Sequence, residues 1–286
     1  GIIIVNSDKL NYIIKKKSNG NNNITHHLHQ MFFFECVLRR IEVSKYKNNI
    51  ILKGGVLLSS IIGEDLRTTK DIDTTLKSVP LNKTNIQNIF NEILAIDIND
   101  NVLFKIENIK DIRDEDEYGG FRINVKGEFD KIKTNFFLEV TTGDIITPKE
   151  IMYKYNSIFD SDEIKILAYN IETIIAEKFE SIVSKNITTT RAKDFYDIYM
   201  LLNSDANIKD INLLLAIKNT FNKRNTLFDI REFKEIIEII KESDKLRKVY
   251  NDYQLKLEYT HNVSFEDTVD ALEKIVNILE RMNVSV

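Results

Sequence analysis

A double change of hydrophobic period constrains this chain most. Between residues 101 and 144, "NVLFKIENIKDIRD", "GGFRINVKGEFD" and "KTNFFLEVTTGD" alternate apolar and polar residues, with "YGG" and "DKIK" as turn material between them. Period two predicts strands, and such short connections predict an antiparallel meander. From Asn170 onward the period is helical and stays so, through "NIETIIAEKFESIVSK", "RAKDFYDIYMLLN", "KDINLLLAIKNTF", "IREFKEIIEII", "DKLRKVYNDYQLKLEY" and "SFEDTVDALEKIVNILERM". A sheet-forming part followed by a helical part predicts an α+β chain.

The flanking segments fill in the sheet part. "NGNNN" at 19–23 is a polar turn between a short lead helix and the helical run "ITHHLHQMFFFECVLRRIEVSKY". "NNIILKGG" reads as a strand entering a glycine turn, "VLLSSIIG" as a buried helix closed by Gly63, and "KDIDTTLK" as a strand. Helix "NKTNIQNIFNEIL" follows Pro80, and "IMYKYNSIF" and "IKILAY" are two further short strands after Pro148. The chain divides into a domain at 1–168, with N-terminal helices over 1–48, and a helical domain at 169–286.

Composition narrows the function classes. The 286 residues are 43% hydrophobic and 29% charged with a formal net charge of −4, which excludes an unstructured chain and a protein that coats nucleic acid indiscriminately. A local basic patch gripping one structured RNA stays open, with "LRRIEVSKYK" at 38–47 and the Lys185–Lys193 region as candidates. A single cysteine, Cys36, rules out an internal disulfide and a cysteine zinc cluster, and is read as a mark of a reducing, cytoplasmic setting. No apolar run reaches the roughly 18 residues that cross a bilayer. "GIIIVNSDKLNYIIKKK" has apolar residues before its charges, the reverse of a signal peptide, and a chain opening on Gly1 reads as trimmed at that end.

The candidate chemistry begins in "ILKGGVLLSSIIGEDLRTTKDIDTTL". Asp71 and Asp73 are two apart on a strand, so both carboxylates face one side and repel unless a cation such as magnesium separates them. The same pair would also serve as a solvated strand edge. Gly54 and Gly55 let backbone approach a ligand, and the helix from Val56 would turn free N–H groups toward a phosphate. Neither a Walker loop nor a dinucleotide fingerprint is present. Glu139, between Leu138 and Val140, is a third acid, costly to bury without a partner. Farther on, Lys178 lies in an amphipathic helix, and Arg191, Lys193, Asp194 and Asp197 crowd two helical turns. There the plain expectation is a solvated charged face.

Taken in order, "LKGGVLL", "RTTKDIDTTL", "FLEVTTGDIITP", "IIAEKFESI" and "RAKDFYDIYML" resemble the AbiEii/AbiGii toxin family of nucleotidyltransferases, on the AbiGii-like side, over residues 30 to about 205. The resemblance implies a polymerase-beta-like nucleotidyltransferase mixed sheet with flanking helices, followed by a helical C-terminal domain. It implies two magnesium ions on Asp71, Asp73 and Glu139, and a nucleoside triphosphate (NTP) held by Lys53, Gly54, Gly55, Arg67, Lys178 and Lys193. Lys178 and Asp194 stand where the family's later motifs place catalytic groups. Val56 departs from the Ser or Thr often found after the glycines, and Glu139 replaces an aspartate. The implied partners are RNA, above all a tRNA 3′ end, and a cognate antitoxin, in abortive infection against phage. Two other readings use the same residues: a nucleotide- or partner-binding module without catalysis, and a nucleotidyltransferase acting on a small antibiotic.

Overall fold

In the computed structural model, the described residues are 4, 6–112 and 119–284. The end of "KDIRD" and the Tyr118 turn fall outside them. In chain order the elements are α1 (Ser7–Ser18), α2 (Asn22–Val43), β1 (Ile50–Lys53), α3 (Gly54–Ile62), β2 (Asp71–Leu76), α4 (Lys83–Leu94), β3 (Val102–Ile112), β4 (Gly120–Phe129), β5 (Ile132–Thr141), β6 (Ile151–Asn156) and β7 (Glu163–Ala168). Helices α5 (Ile171–Lys185), α6 (Ala192–Leu202), α7 (Asp210–Lys223), α8 (Ile230–Lys241), α9 (Asp244–Lys256) and α10 (Phe265–Val284) follow. The starts are chemically marked. Asn6, Asn21, Asn82, Asp229 and Ser243 each accept a hydrogen bond from a backbone N–H of the first turn they precede.

The seven strands form one mixed sheet in the order β3-β4-β5-β2-β1-β7-β6. The predicted meander is there, antiparallel from β3 through β5. β2 then runs parallel to β5 and antiparallel to β1, and β1 parallel to β7. One face of the sheet is apolar: Ile72, Leu138 and Ile123 sit side by side across β2, β5 and β4 and are fully buried. The aromatic run of α2 packs with the strands, Phe34 meeting Phe136 at 5.3 Å and Phe33 meeting Phe104 at 6.2 Å. Each such ring removed from water contributes about 1.5–3 kcal/mol.

The chain forms two compact units: Gly1–Ser60 with Thr68–Asp144 and Ile151–Ala168, and Ile61–Arg67 with Ile145–Glu150 and Tyr169–Val286. The segments at 61–67 and 145–150 thus belong with the helices, which the linear division at 168 did not assign to them. Their side chains show why. Asn170 donates to the Thr147 carbonyl at 2.6 Å and the Thr147 N–H donates to Thr173 at 3.0 Å. In the helical unit α8 buries Phe233, Ile236, Ile237 and Ile240, one stripe at helical spacing, and Phe233 lies 5.2–5.4 Å from Phe179, Phe221 and Phe228.

One cationic expectation fails in the first unit. "LRRIEVSKYK" is not a free basic patch: Arg39 pairs with Asp160 and Asp162, the buried Arg40 with Asp100 at 2.6 Å, and Lys45 with Glu92. Beside Arg39, Glu35 is buried, its Oε1 without a hydrogen-bond partner. Burial pushes its carboxyl up to about 8, against the opposing Ser157 hydroxyl, Ile158 N–H and Arg39 charge. The folded chain therefore keeps a proton that the unfolded chain releases near 4.5. Stability then falls as pH rises from about 4.5 to about 8. Glu35→Gln should flatten that slope and raise the urea midpoint at pH 8.5 more than at pH 5; equal shifts at both would show that Glu35 does not titrate in this window.

Candidate functional site

Cross-strand register assembles the acidic cluster. Lys53 of β1 pairs with Asp73 of β2, Asp73 with Glu139 of β5, Glu139 with Arg122 of β4, and Arg122 with Lys110 of β3. Residues directly opposite share a face, so one row across five strands reads cation, acid, acid, cation, cation. Asp71 lies two residues from Asp73 on the same face. This face is the one away from Ile72, Leu138 and Ile123.

The electrostatics follow from that order. Burial and then the Asp73 charge push the Glu139 carboxyl up, while hydrogen bonds from Arg122 work the other way. Arg122 donates to Glu139 Oε1 through Nε at 2.8 Å and Nη2 at 2.5 Å. Those bonds hold the Arg122 guanidinium protonated, with Glu139, Asp71 and Asp73 all adding. Lys53 is turned to Thr141 and Asp144, 2.8 Å from each.

The glycine pair has a local reason different from the one its sequence suggests. Gly54 sits at φ +66, and a Cβ added there would lie 2.7 Å from the Asp73 Cβ. A Cβ on Gly55 would lie 2.6 Å from the Thr69 Cβ. The space these glycines leave is filled by protein side chains, and the Gly55 N–H donates to Asp73 Oδ2 at 3.4 Å. The pair positions an acid. Val56 is buried in the core, so the position where the family often carries a hydroxyl points inward here. Gly54→Ala combines a left-handed backbone with a clash on Asp73, and should lower stability by about 1–2 kcal/mol or more. Thermal unfolding checks this; an unchanged melting temperature would mean that Asp73 moves aside at no cost.

A second charged cluster lies inside the helical unit, and it overturns the expectation of a solvated face. Asp194 and Asp197 of α6 are buried, with relative exposures of 1% and 0%. Lys178 of α5 reaches both, at 3.0 and 2.9 Å. Arg67 grips Asp197 through Nε at 2.7 Å and Nη2 at 3.1 Å, and Arg191 holds Asp194 at 2.8 Å. Burial opposes the Asp194 charge, but Lys178 and Arg191 overcome it and hold the carboxyl at about 2. Asp197 is likewise held low against burial by Lys178 and Arg67. Partial desolvation, then the charges of Arg191, Lys178 and Arg67, pull the Lys193 ammonium below the usual lysine range.

The structure therefore brings the expected residues together in two groups. The sheet unit holds Lys53, Gly54, Gly55, Asp71, Asp73 and Glu139, and the helical unit holds Arg67, Lys178, Lys193 and Asp194. The Arg67 guanidinium is buried and engaged by Asp197. Sequence reasoning missed Arg122 and the Arg67–Asp197 pair. Alternation along β4 put Arg122 on the polar face, but no local pattern says which strand lies beside Glu139.

The donor chemistry of Asp71, Asp73 and Glu139 suits a hard divalent cation, since neighbouring carboxylates repel one another and a cation between them relieves this. Among the described residues, no three His, Cys, Asp or Glu side chains converge as a ready metal cage. Glu139 is engaged by Arg122 instead.

Among the described residues, no helix is long and apolar enough to cross a membrane. No curated protein matches the chain in sequence. Two solved structures share its fold. One, from H. pylori and provisionally described as a nucleotidyltransferase, is 16% identical, with a TM-score of 0.52 over 91% of this chain and 97% of that one. The other, JHP933 from Helicobacter pylori, is 15% identical, with a TM-score of 0.50 over 91% of this chain and 95% of that one. The sequence profile of the nucleotidyl transferase AbiEii toxin, of type IV toxin–antitoxin systems, matches residues 36–272. With most of its length covered by that profile, and a mixed sheet that carries the paired acids, the chain belongs to the AbiEii nucleotidyltransferase toxin family.

Proposed function

We propose that this toxin transfers a nucleoside monophosphate from an NTP to a hydroxyl of an RNA acceptor, the 3′ end of a tRNA, and so blocks translation in phage-infected cells. The observation that carries the reading is the register Asp73–Glu139, with Asp71 on the same sheet face. Asp71 and Asp73 would hold magnesium, joined by Glu139 once its carboxylate is released by Arg122. A magnesium ion held there would supply charge neutralisation for the triphosphate and pyrophosphate oxygens.

The chain's own groups supply the rest. The new bond joins the acceptor oxygen to the α-phosphorus, and the bond to the β-phosphate oxygen breaks. Glu139, whose proton affinity is raised by burial and by Asp73, is suited to receive the acceptor hydroxyl's proton. Lys193, its ammonium disfavoured by partial desolvation and then by the cations around it, would be stabilised by an arriving phosphate. Lys178 fixes Asp194 and Asp197 and acts as a positioning residue. The cognate antitoxin acts in the same cytoplasm, by contact or by other means. Incubating the protein with labelled triphosphates, magnesium and total RNA should yield a labelled tRNA band. Label on a small molecule alone, or none at all, would overturn the acceptor assignment.

A further inference from the structure

Next to the acidic row, the open face of the meander carries side chains that the transfer chemistry leaves unused. Asp71 pairs in register with Phe137, Phe137 with Asn124, and Asn124 with Asn108. In the following row Asn135 pairs with Lys126 and Lys126 with Lys105. Phe137 is 38% exposed, although its neighbours Phe136 and Leu138 are buried. The Arg122 guanidinium lies 4.8 Å over the Phe137 ring and is itself about half exposed. Asn135 donates to Asn124 at 3.2 Å, so the two amides form one polar pair beside the ring.

The charge on this face departs from that of the chain. Across β3 to β5, Lys105, Lys110, Arg122, Lys126 and Lys133 point the same way as Glu128 and Glu139, with Glu107 at the β3 bulge and Asp71 and Asp73 beyond them on β2, on a chain of net charge −4. Glu128 draws on Lys126 and Lys133, at 3.2 and 3.8 Å. Lys105 and Lys110, on exposed positions of the edge strand, leave a net positive strip. An exposed ring capped by a guanidinium, amides at its side and lysines beyond form the set that binds unpaired nucleotides. Bases stack on aromatic and guanidinium planes, amides bond base edges, and lysines follow the phosphates. A paired duplex end would offer no splayed base to the ring.

We propose that this face seats the single-stranded end of the acceptor RNA, its terminal base stacked on the Arg122–Phe137 pair and its backbone running over Lys105, Lys110 and Lys126. Adjacent strands lie about 4.8 Å apart, so a base on Phe137 brings its ribose beside Asp71. The proposal rests on the RNA-transfer reading and names the surface that reading requires.

Fluorescence anisotropy with a labelled eight-nucleotide single-stranded RNA tests it, without triphosphate, alongside a hairpin of the same composition. Phe137→Ala should weaken binding roughly ten-fold, as stacking energies imply, and Phe137→Tyr should restore it. Lys105→Glu with Lys110→Glu should weaken it as much and reduce the salt slope by about 0.7 per lost contact. Triphosphate affinity and melting temperature should stay as in the wild type. Failure of the wild type to bind the strand, equal affinity of Phe137→Ala, or preference for the hairpin would overturn the proposal. If the wild type labels RNA while Phe137→Ala keeps the same KM for RNA, the face falls and the transfer reading stands. If the strand binds in a Phe137-dependent way and no RNA is ever labelled, the transfer reading falls and the face stands.

Discussion

Replacing Asp73 with Asn should reduce transfer of labelled nucleotide to RNA by about a thousand-fold or more, and relieve growth inhibition with it. The size follows from position. Asp73 lies between Lys53 and Glu139 in the register, accepts the Gly55 N–H, and shares its face with Asp71. Losing one preorganised charge-stabilising group typically costs 10²–10³-fold in rate, and Asn also removes half of the carboxylate pair proposed to hold the cation. The change keeps the side-chain shape, so melting temperature should move little. Asp71→Ala combined with Asp73→Ala should abolish both readouts. A fully toxic double variant that still labels RNA would refute the catalytic reading outright.

Asp197→Ala should cost about 3–5 kcal/mol of stability, because it leaves the Arg67 and Lys178 charges buried without the carboxylate that both contact. Urea unfolding should show a lower midpoint with little change in slope, and Asp197→Asn, which keeps the shape but not the charge, should fall in between. A midpoint equal to that of the wild type would mean that water or another acid replaces Asp197. The same cluster sets an acid limit. Asp194 and Asp197 ionise at lower pH in the folded chain than their ordinary 3.8. Their contribution is therefore complete above pH of about 4 and is lost as the pH falls toward 2. Asp197→Ala should flatten this part of the stability profile.

The elements of the fold were readable because each carries its own period. The alternation of β3 to β5 and the stripe of α8 are local patterns, and short polar caps mark where helices begin. Asp71 and Asp73 were readable as a same-face pair for the same reason. Other features were not local. "LRRIEVSKYK" looks basic in one dimension, yet Asp100, Asp160, Asp162 and Glu92 come from distant segments to neutralise it. Asp194 and Asp197 look solvated until Arg67, 130 residues from Asp197 in the chain, closes over one of them. The glycines were legible as a site of close approach, but not that Asp73 and Thr69 are what approaches.

Sequence by itself determined the α+β class, the family motifs, and the placement of Asp71 and Asp73 on one face of a strand. It could do so because period and motif order are properties of neighbours along the chain. Tertiary structure decided which strands lie side by side: β2 beside β5, which sets Glu139 against Asp73, and β4 beyond it, which brings Arg122 to Glu139 and over Phe137. It also decided which charges face water and which are buried with a partner. Both depend on pairings between segments far apart in the chain, where burial makes an unpaired charge too costly to keep.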